Sequence, residues 1–220
     1  MMARRGVLGA LIGGTALVLG GCGLSGNASY RFRMTVEART PQGLSAGSSV
    51  MEVVAMRGFR LGDRAGGGST LTREAVVVDL PNGPIFVLLR SPDAGPALQG
   101  PVTDTLNAHR VGDKRTGDFV DDVRAVGGWF GGAQAELPRE DWPLMVRFRD
   151  LDDPTSVERV EPEAVGIRRI LLETTGDEVT VGIKKWLEWL NDLDGYRTDL
   201  DNPFTNTLPQ EIGYLRSGVA

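Results

Sequence analysis

The chain offers very little thiol or imidazole chemistry. Among its 220 residues there is one cysteine, Cys22, and one histidine, His109. A single cysteine excludes an internal disulfide, so the stability of the fold must come from its core. A single histidine excludes the paired imidazole ligands of a typical zinc site. Any histidine-based catalytic triad would therefore have to use His109.

Basic charge is also in short supply. The chain has 24 lysines and arginines against 29 aspartates and glutamates, a net charge of −5. Nucleic-acid binding requires a basic surface, and electrostatic docking on anionic lipid headgroups requires one too. The composition therefore argues against a nucleic-acid partner and against membrane binding through surface charge. Apolar residues make up 41% of the chain, which is enough for a chain of this length to fold without disulfides.

The N-terminal apolar run is too short for a membrane span. It extends from Gly6 to Gly20 after Arg4 and Arg5, about fifteen residues where a helix needs roughly twenty to cross a bilayer. A basic pair followed by a short apolar run is typical of a secretory signal. We therefore expect residues 1–21 to be a cleaved leader, whose removal leaves 22 basic and 29 acidic residues, a net charge of about −7.

The predicted leader ends at Leu19-Gly20-Gly21-Cys22. This run resembles the lipobox of bacterial lipoproteins, whose leucine, small residue, glycine and cysteine it matches in order. The resemblance implies cleavage before Cys22, a diacylglycerol on its sulfur and acylation of the freed amine; two or more acyl chains hold a protein stably on a membrane. In Gram-negative members a residue other than aspartate after the cysteine, here Gly23, implies transport to the outer membrane, facing the periplasm. An ordinary cleaved signal with a spare thiol is the alternative.

Alternation of apolar and polar residues predicts a single sheet-rich domain over residues 30–220, joined to Cys22 by a tether over residues 22–29. Tyr30 to Ala38 alternates with a period of two. Ser48 to Arg57 is predicted to return beside it after a turn at Pro41-Gln42-Gly43, through a connection longer than a tight turn. Further strands are predicted at 74–80 and 85–90, after a flexible tip at Gly66-Gly67-Gly68-Ser69. A second antiparallel set is predicted at 144–149, 168–174 and 178–183.

Helical spacing interrupts this pattern in two regions. A helical insertion is expected at about residues 97–126, with one helix beginning at Pro101 and a second over Asp118 to Val126. A short C-terminal helix is predicted from one apolar face, formed by Ile183, Trp186, Leu187 and Leu190. The predicted fold class is therefore α+β, a mainly antiparallel β-sheet whose face is covered by these helices.

No residue cluster in the body of the chain stands out as catalytic. Spacing selects no partner for His109, although Ser91 with Asp104 or Asp113 could complete a triad. The acidic run 191–202 offers oxygen ligands for calcium, but Arg197 stands where an EF-hand requires glycine. A solvated acidic loop is the preferred interpretation of that run. We therefore assign no catalytic or metal-binding residue and expect no cofactor.

Two adjacent aromatic residues are the remaining candidate for a contact site. Trp129 and Phe130 lie between two glycine pairs and form a candidate contact loop, with burial in the core as the alternative. The arrangement as a whole is similar to globular lipoproteins of Gram-negative bacteria. We predict a membrane-anchored envelope lipoprotein with a non-enzymatic binding or structural role toward an envelope protein or ligand. The alternative is a lipid-anchored periplasmic hydrolase that uses two carboxylates, whose separation the sequence does not give.

Overall fold

The computed structural model describes residues 26–57, 67–90, 98–111, 116–128, 132–191 and 216–217. Its first two strands are β1 (Asn27–Thr40) and β2 (Gly43–Arg57). The other strands, in chain order, are β3 (Gly67–Glu74), β4 (Val76–Val78), β5 (Ile85–Val87), β6 (Gln134–Glu136), β7 (Met145–Phe148), β8 (Val157–Val160), β9 (Ile167–Thr174) and β10 (Arg216–Ser217). The helices are α1 (Gln99–Val111) and α2 (Phe119–Gly127). The prediction of a mainly antiparallel sheet with a helical insertion in two pieces is confirmed.

A long hairpin forms the centre of the fold. β1 and β2 pair antiparallel without a register shift from Asn27 opposite Met56 to Thr40 opposite Gly43. The predicted long connection is wrong, because β2 begins at Gly43 and leaves a turn of two residues. The sequence hides this early start, since residues 43–47 contain no alternation of large apolar and charged side chains. β1 also takes in residues 27–29, which the sequence assigned to the tether.

Two antiparallel sheets pack against each other. The large sheet has the order β10-β3-β2-β1-β9-β6, and the small sheet has the order β4-β5-β7-β8. Alternate residues of β1, from Tyr30 to Ala38, are buried on the inner face of the large sheet. The helices cover the beginning of that face, where the Tyr30 hydroxyl hydrogen-bonds the Thr103 hydroxyl of α1 at 2.8 Å. The small sheet covers the other half, near Gly47 of β2.

Both ends of α2 carry residues from which the helix boundaries can be predicted. The Asp118 carboxylate accepts hydrogen bonds from the amides of Val120 and Asp121 at 2.9 and 3.2 Å, which satisfies donors that the first turn leaves open. The Asp118 carboxyl also accepts a hydrogen bond from Arg57, and together these bonds lower its pKa despite partial desolvation. A glycine pair, Gly127-Gly128, ends the helix as expected.

The predicted C-terminal helix is not present as an α-helix. Residues 183–185 and 188–191 form two short 3-10 turns that pack on the outer face of the small sheet. The side chain of Trp189 is buried there and donates to the carbonyl of Leu151 at 2.8 Å. In a regular helix Trp189 would lie about 120° round the axis from Ile183, outside the predicted apolar face. The chain instead forms two separate turns, and Trp186 is left 37% exposed.

Three predictions about the strands also differ from the structure. The glycine-rich segment after Gly66, expected to be a flexible tip, contributes Gly67–Ser69 to β3. Residues 178–182 form no strand, although Thr180 hydrogen-bonds Val50 of β2. β9, expected in a second sheet with 144–149, instead pairs with β1 in the large sheet.

Candidate functional site

β1 separates two ends of the molecule. At about 3.4 Å per residue its 14 residues span roughly 45 Å. The end of α2 lies against the beginning of β1, since a Cβ on Gly127 would stand 2.6 Å from the carbonyl oxygen of Ser29. The opposite end contains the β1–β2 turn (41–42), the β4–β5 turn (81–83) and the loop 161–166. We call this opposite end the hairpin end.

Hydrogen bonds to backbone carbonyls hold the hairpin end together. The amide of Arg39 donates to the carbonyl of Gly166 at 2.8 Å, and the Ser45 hydroxyl donates to the carbonyl of Asp79 at 2.7 Å. Gly166 has a φ of +75°, and a Cβ there would lie 2.4 Å from the carbonyl oxygen of Arg39. Only glycine fits this position, so the loop 161–166 is fixed closely against β1.

The hairpin end also contains a pocket of about 380 Å³, which we call the arginine pocket. Pockets of about 300 Å³ or more are large enough for a small ligand. Its walls combine apolar and charged side chains. They are Pro41, Leu80, Pro81, Ile85, Ala164, Val165, Arg39, Arg147, Glu163, Thr40, Gln42 and Asn82, with two glycines.

Arginine outweighs carboxylate around this pocket. Arg147 and Arg149 share one carboxylate, Glu158, at 3.1 and 3.0 Å. Arg39 is exposed and forms no ion pair with any residue that the structure describes. The pocket wall is therefore locally basic on a chain whose net charge is −5.

Glu163 does not reverse this balance. It forms an ion pair with Arg139, and the hydrogen bond from that guanidinium lowers the pKa of the Glu163 carboxyl. Arg139 also stacks over the ring of Trp142, 4.3 Å from its centroid. The carboxylate is thus ionised and already partnered.

A second, more open hollow of about 390 Å³ adjoins the first, and we call it the edge groove. It is lined by Thr40, Gln42, Leu44, Ser45, Asp79, Leu80 and Pro81. Leu44 is 76% exposed, an unusual state for a large apolar side chain in a strand. Asp79 is exposed and has no ion-pair partner among the described residues. The edge groove therefore combines apolar surface with one unpaired carboxylate.

Leu44 and Ser45 of the groove belong to a pattern whose spacing is visible in the sequence. Gly43-Leu44-Ser45-Ala46-Gly47 has the spacing Gly-x-Ser-x-Gly of a nucleophile elbow. An elbow requires a sharp turn from a strand into a helix, whereas this run lies inside β2. Ser45 uses its hydroxyl to bind the carbonyl of Asp79, and no histidine lines the groove. The pattern is therefore a strand segment and not a catalytic elbow.

Most residues singled out by the sequence lie outside the described part of the chain. These are Cys22, Ser91, Asp113, Trp129, Phe130 and, apart from Asn191, the acidic run 191–202. Of the remaining triad candidates, His109 is exposed near the end of α1, and Asp104 lies on the same helix. Neither lines the hairpin end.

Carboxylate pairs of the kind that a hydrolase needs are scarce in the described hollows. A hollow of about 270 Å³ beside Trp142 contains Glu140 and Glu161, but Glu161 is paired with Arg159 at 3.4 Å. The arginine pocket holds Glu163 alone, and the edge groove holds Asp79 alone. Within the described residues, no group of three or more histidine, cysteine, aspartate or glutamate side chains is placed to hold a metal ion.

Comparison with known proteins adds no assignment. No protein-family model, curated protein or solved structure matches this chain. Among the described helices, none has both the length and the apolar character required to span a bilayer.

Proposed function

We propose that this chain is a lipid-anchored envelope protein with a non-enzymatic binding role, and that it binds its partner at the hairpin end. The observation that supports this role is the position of the two hollows relative to the chain start. Cys22 precedes the beginning of β1 by five residues, and the hairpin end lies roughly 45 Å away along the same strand.

The proposed anchor is the acylated Cys22 after removal of residues 1–21. A short segment between Cys22 and β1 would keep the beginning of β1 near the membrane surface and direct the hairpin end away from it. Location in the outer membrane, facing the periplasm, rests on Gly23 at the position after the cysteine.

The anchor can be tested by replacing the lipidated sulfur. We expect the wild-type chain to fractionate with membranes and Cys22→Ser to be released, because the thioether bond cannot form. Mass spectrometry of the mature N-terminus should show acyl chains on the wild type only. Equal membrane retention of both proteins, with an unmodified wild-type thiol, would contradict the anchor.

The binding end can be tested by site-specific photo-crosslinking in intact cells. Gln42 and Asn82 are exposed in the two turns of the hairpin end, and Glu173 of β9 is an exposed control position away from it, opposite Arg33. A photoreactive residue at 42 or 82 should capture a partner that position 173 does not capture. Capture from position 173 alone would place the partner elsewhere and contradict the proposal.

The candidate contact loop at Trp129 and Phe130 remains a proposal of its own. Both residues lie outside the described chain, but Gly127 and Gly132 on either side line a hollow with Tyr30 near the beginning of β1. A contact there would belong to the membrane-proximal end of an anchored molecule. It would therefore be separate from the hairpin end.

A further inference from the structure

The edge of β2 changes partner halfway along the strand. β3 pairs with β2 only from Glu52 to Arg57. At Val50 the neighbour is Thr180, whose amide donates to the Val50 carbonyl at 3.0 Å and whose hydroxyl accepts from the Val50 amide at 2.8 Å. The backbone groups of Val50 therefore point away from β1, toward the outside of the sheet.

Backbone groups of β2 nearer the hairpin end also point outward, because the direction of the amide and carbonyl alternates from residue to residue along an antiparallel strand. Residues two apart in a strand direct their amide and carbonyl to the same side, so Ser48, Ala46 and Leu44 point outward like Val50. Arg39, which lies opposite Leu44 on β1, agrees with this register because its amide turns away from β2 to Gly166.

These outward groups are unpaired within the described part of the chain. No described residue hydrogen-bonds the backbone of Leu44, Ala46 or Ser48, and all three residues are exposed. Exposed edges are usually protected by charged residues, proline or bulges, but Gly43–Ser48 contains no charge and no proline. As far as the described residues go, nothing closes this edge to an added strand.

The surroundings of the edge indicate what could occupy it. A second copy paired antiparallel to this edge would run its β1 in the opposite direction, which would put the two N-terminal tethers at opposite ends. That arrangement does not fit two copies anchored in one membrane. A single extended segment of another protein meets no such conflict, and Thr180 shows that the outward backbone groups of β2 already bind another segment at Val50.

We propose that the Gly43–Ser48 edge binds an extended segment of a partner protein as an additional strand of the large sheet. Alternate side chains of that segment lie on the outer face of the sheet and, on the opposite face, in the edge groove, where Asp79 favours a basic side chain. Three outward residues provide about six backbone hydrogen bonds. This inference rests on the proposed binding role of the hairpin end and gives the chemical class of the partner.

A defined peptide can test the inference on the full chain purified in detergent. The probe is a labelled, end-blocked seven-residue peptide that alternates valine and lysine, measured by fluorescence anisotropy. It should bind saturably, and the same peptide with methylated backbone amides should bind at least about tenfold more weakly. Absence of saturation up to about 1 mM, or equal binding of the methylated peptide, would overturn the proposal.

Two variants locate the binding on the protein. Ala46→Pro removes the central outward amide and should weaken peptide binding at least about tenfold, whereas Ala46→Ser keeps the amide and should bind normally. Asp79→Asn should remove the preference for the lysine peptide over one with glutamate in its place. Unchanged binding by Ala46→Pro, or an unchanged preference in Asp79→Asn, would overturn the proposal.

Amide hydrogen exchange provides a measurement that needs no variant. In the free protein the amides at 44, 46 and 48 should exchange quickly, those at 45 and 47 slowly, and the peptide should protect the first set. Protection of 44, 46 and 48 without peptide would show that another part of this chain or a second copy covers the edge, which overturns the proposal. None of these assays depends on Cys22, so their failure would leave the lipid anchor and the crosslinked partner standing.

Discussion

Gly47 is the position where the structure makes the sharpest prediction about stability. A Cβ at Gly47 would lie 1.9 Å from the carbonyl oxygen of Val77 and 3.1 Å from the Cα of Val78. Non-bonded heavy atoms prefer separations of about 3.5 Å, so Gly47→Ala must displace β4 from β2 by roughly 1.5 Å. The obstructing atoms belong to backbone that is paired with β5, and no side-chain rotation can relieve the overlap.

The expected cost follows from this geometry. Overpacking in a dense core costs about 1–3 kcal/mol, and a backbone overlap belongs at the upper end of that range. The loss of glycine from the unfolded chain returns about 0.5–1 kcal/mol. Gly47→Ala should therefore destabilise the fold by about 2 kcal/mol, which for a domain of this size lowers the Tm by roughly 4–8 °C.

Urea unfolding and thermal melting of the full chain, followed by circular dichroism, measure this effect. The matched control is Gly68→Ala in β3, because a Cβ at Gly68 meets no atom within 4 Å. The control should stay within about 0.5 kcal/mol of the wild type. If Gly47→Ala were as stable as Gly68→Ala, the close crossing of the two sheets at Gly47 would be wrong.

Two further predictions concern buried polar groups. Glu74→Ala should destabilise by about 2–4 kcal/mol in urea unfolding, because the buried carboxylate accepts from the amides of Gly182 and Ile183 at 2.5 and 2.8 Å. Glu74→Gln keeps an acceptor oxygen and should lose clearly less; equal losses would argue against these hydrogen bonds. Burial raises the pKa of the Tyr30 hydroxyl above its ordinary value of 10.0, so at alkaline pH the folded state keeps a proton that the unfolded state releases. The free energy of unfolding should therefore be at its full value below about pH 10 and should fall as the pH rises beyond it. Tyr30→Phe should cost about 1 kcal/mol at neutral pH through the lost bond to Thr103 and should flatten the alkaline decline; an unchanged decline would contradict this assignment.

The fold could be predicted in segments where the pattern of apolar, charged and capping residues matches the burial and hydrogen bonding of the strand or helix. The alternation in β1 is complete because one face packs on helices and the small sheet while the other carries charge, so the strand was evident. The cap Asp118 and the glycine pair likewise fixed both ends of α2. In these segments the local pattern and the tertiary environment demand the same residues.

The missed elements have environments that the local sequence does not record. Gly67–Ser69 has small side chains typical of a loop, and its place in β3 comes from pairing with Ala55 to Arg57 of β2. The predicted C-terminal helix is replaced by two 3-10 turns, because Trp189 packs on the aromatic surface of the small sheet and donates to the carbonyl of Leu151. Such positions depend on contacts between distant residues, which periodicity cannot show.

The candidate site was missed for a similar reason. Nothing in the sequence indicated that the 81–83 turn and the loop 161–166 would meet Arg39 and the β1–β2 turn. Gly43 to Gly47 carried a signal only in its lack of charge, which indicates an unprotected edge once its strand neighbours are known. The chemistry therefore depends on the assembly of three separate segments.

The continuous pairing of β1 and β2 ties the proposed site to the proposed anchor. A hairpin paired from Asn27 to Thr40 has no break that could act as a hinge, so the distance between its ends is set by strand geometry. In an anchored chain the β2 edge would therefore stay at a nearly constant distance from the beginning of β1. Because the outward amides at 44, 46 and 48 lie at the far end of that strand, a partner could reach them without approaching the lipid surface. The two proposals are thus independent in their chemistry but linked in their geometry.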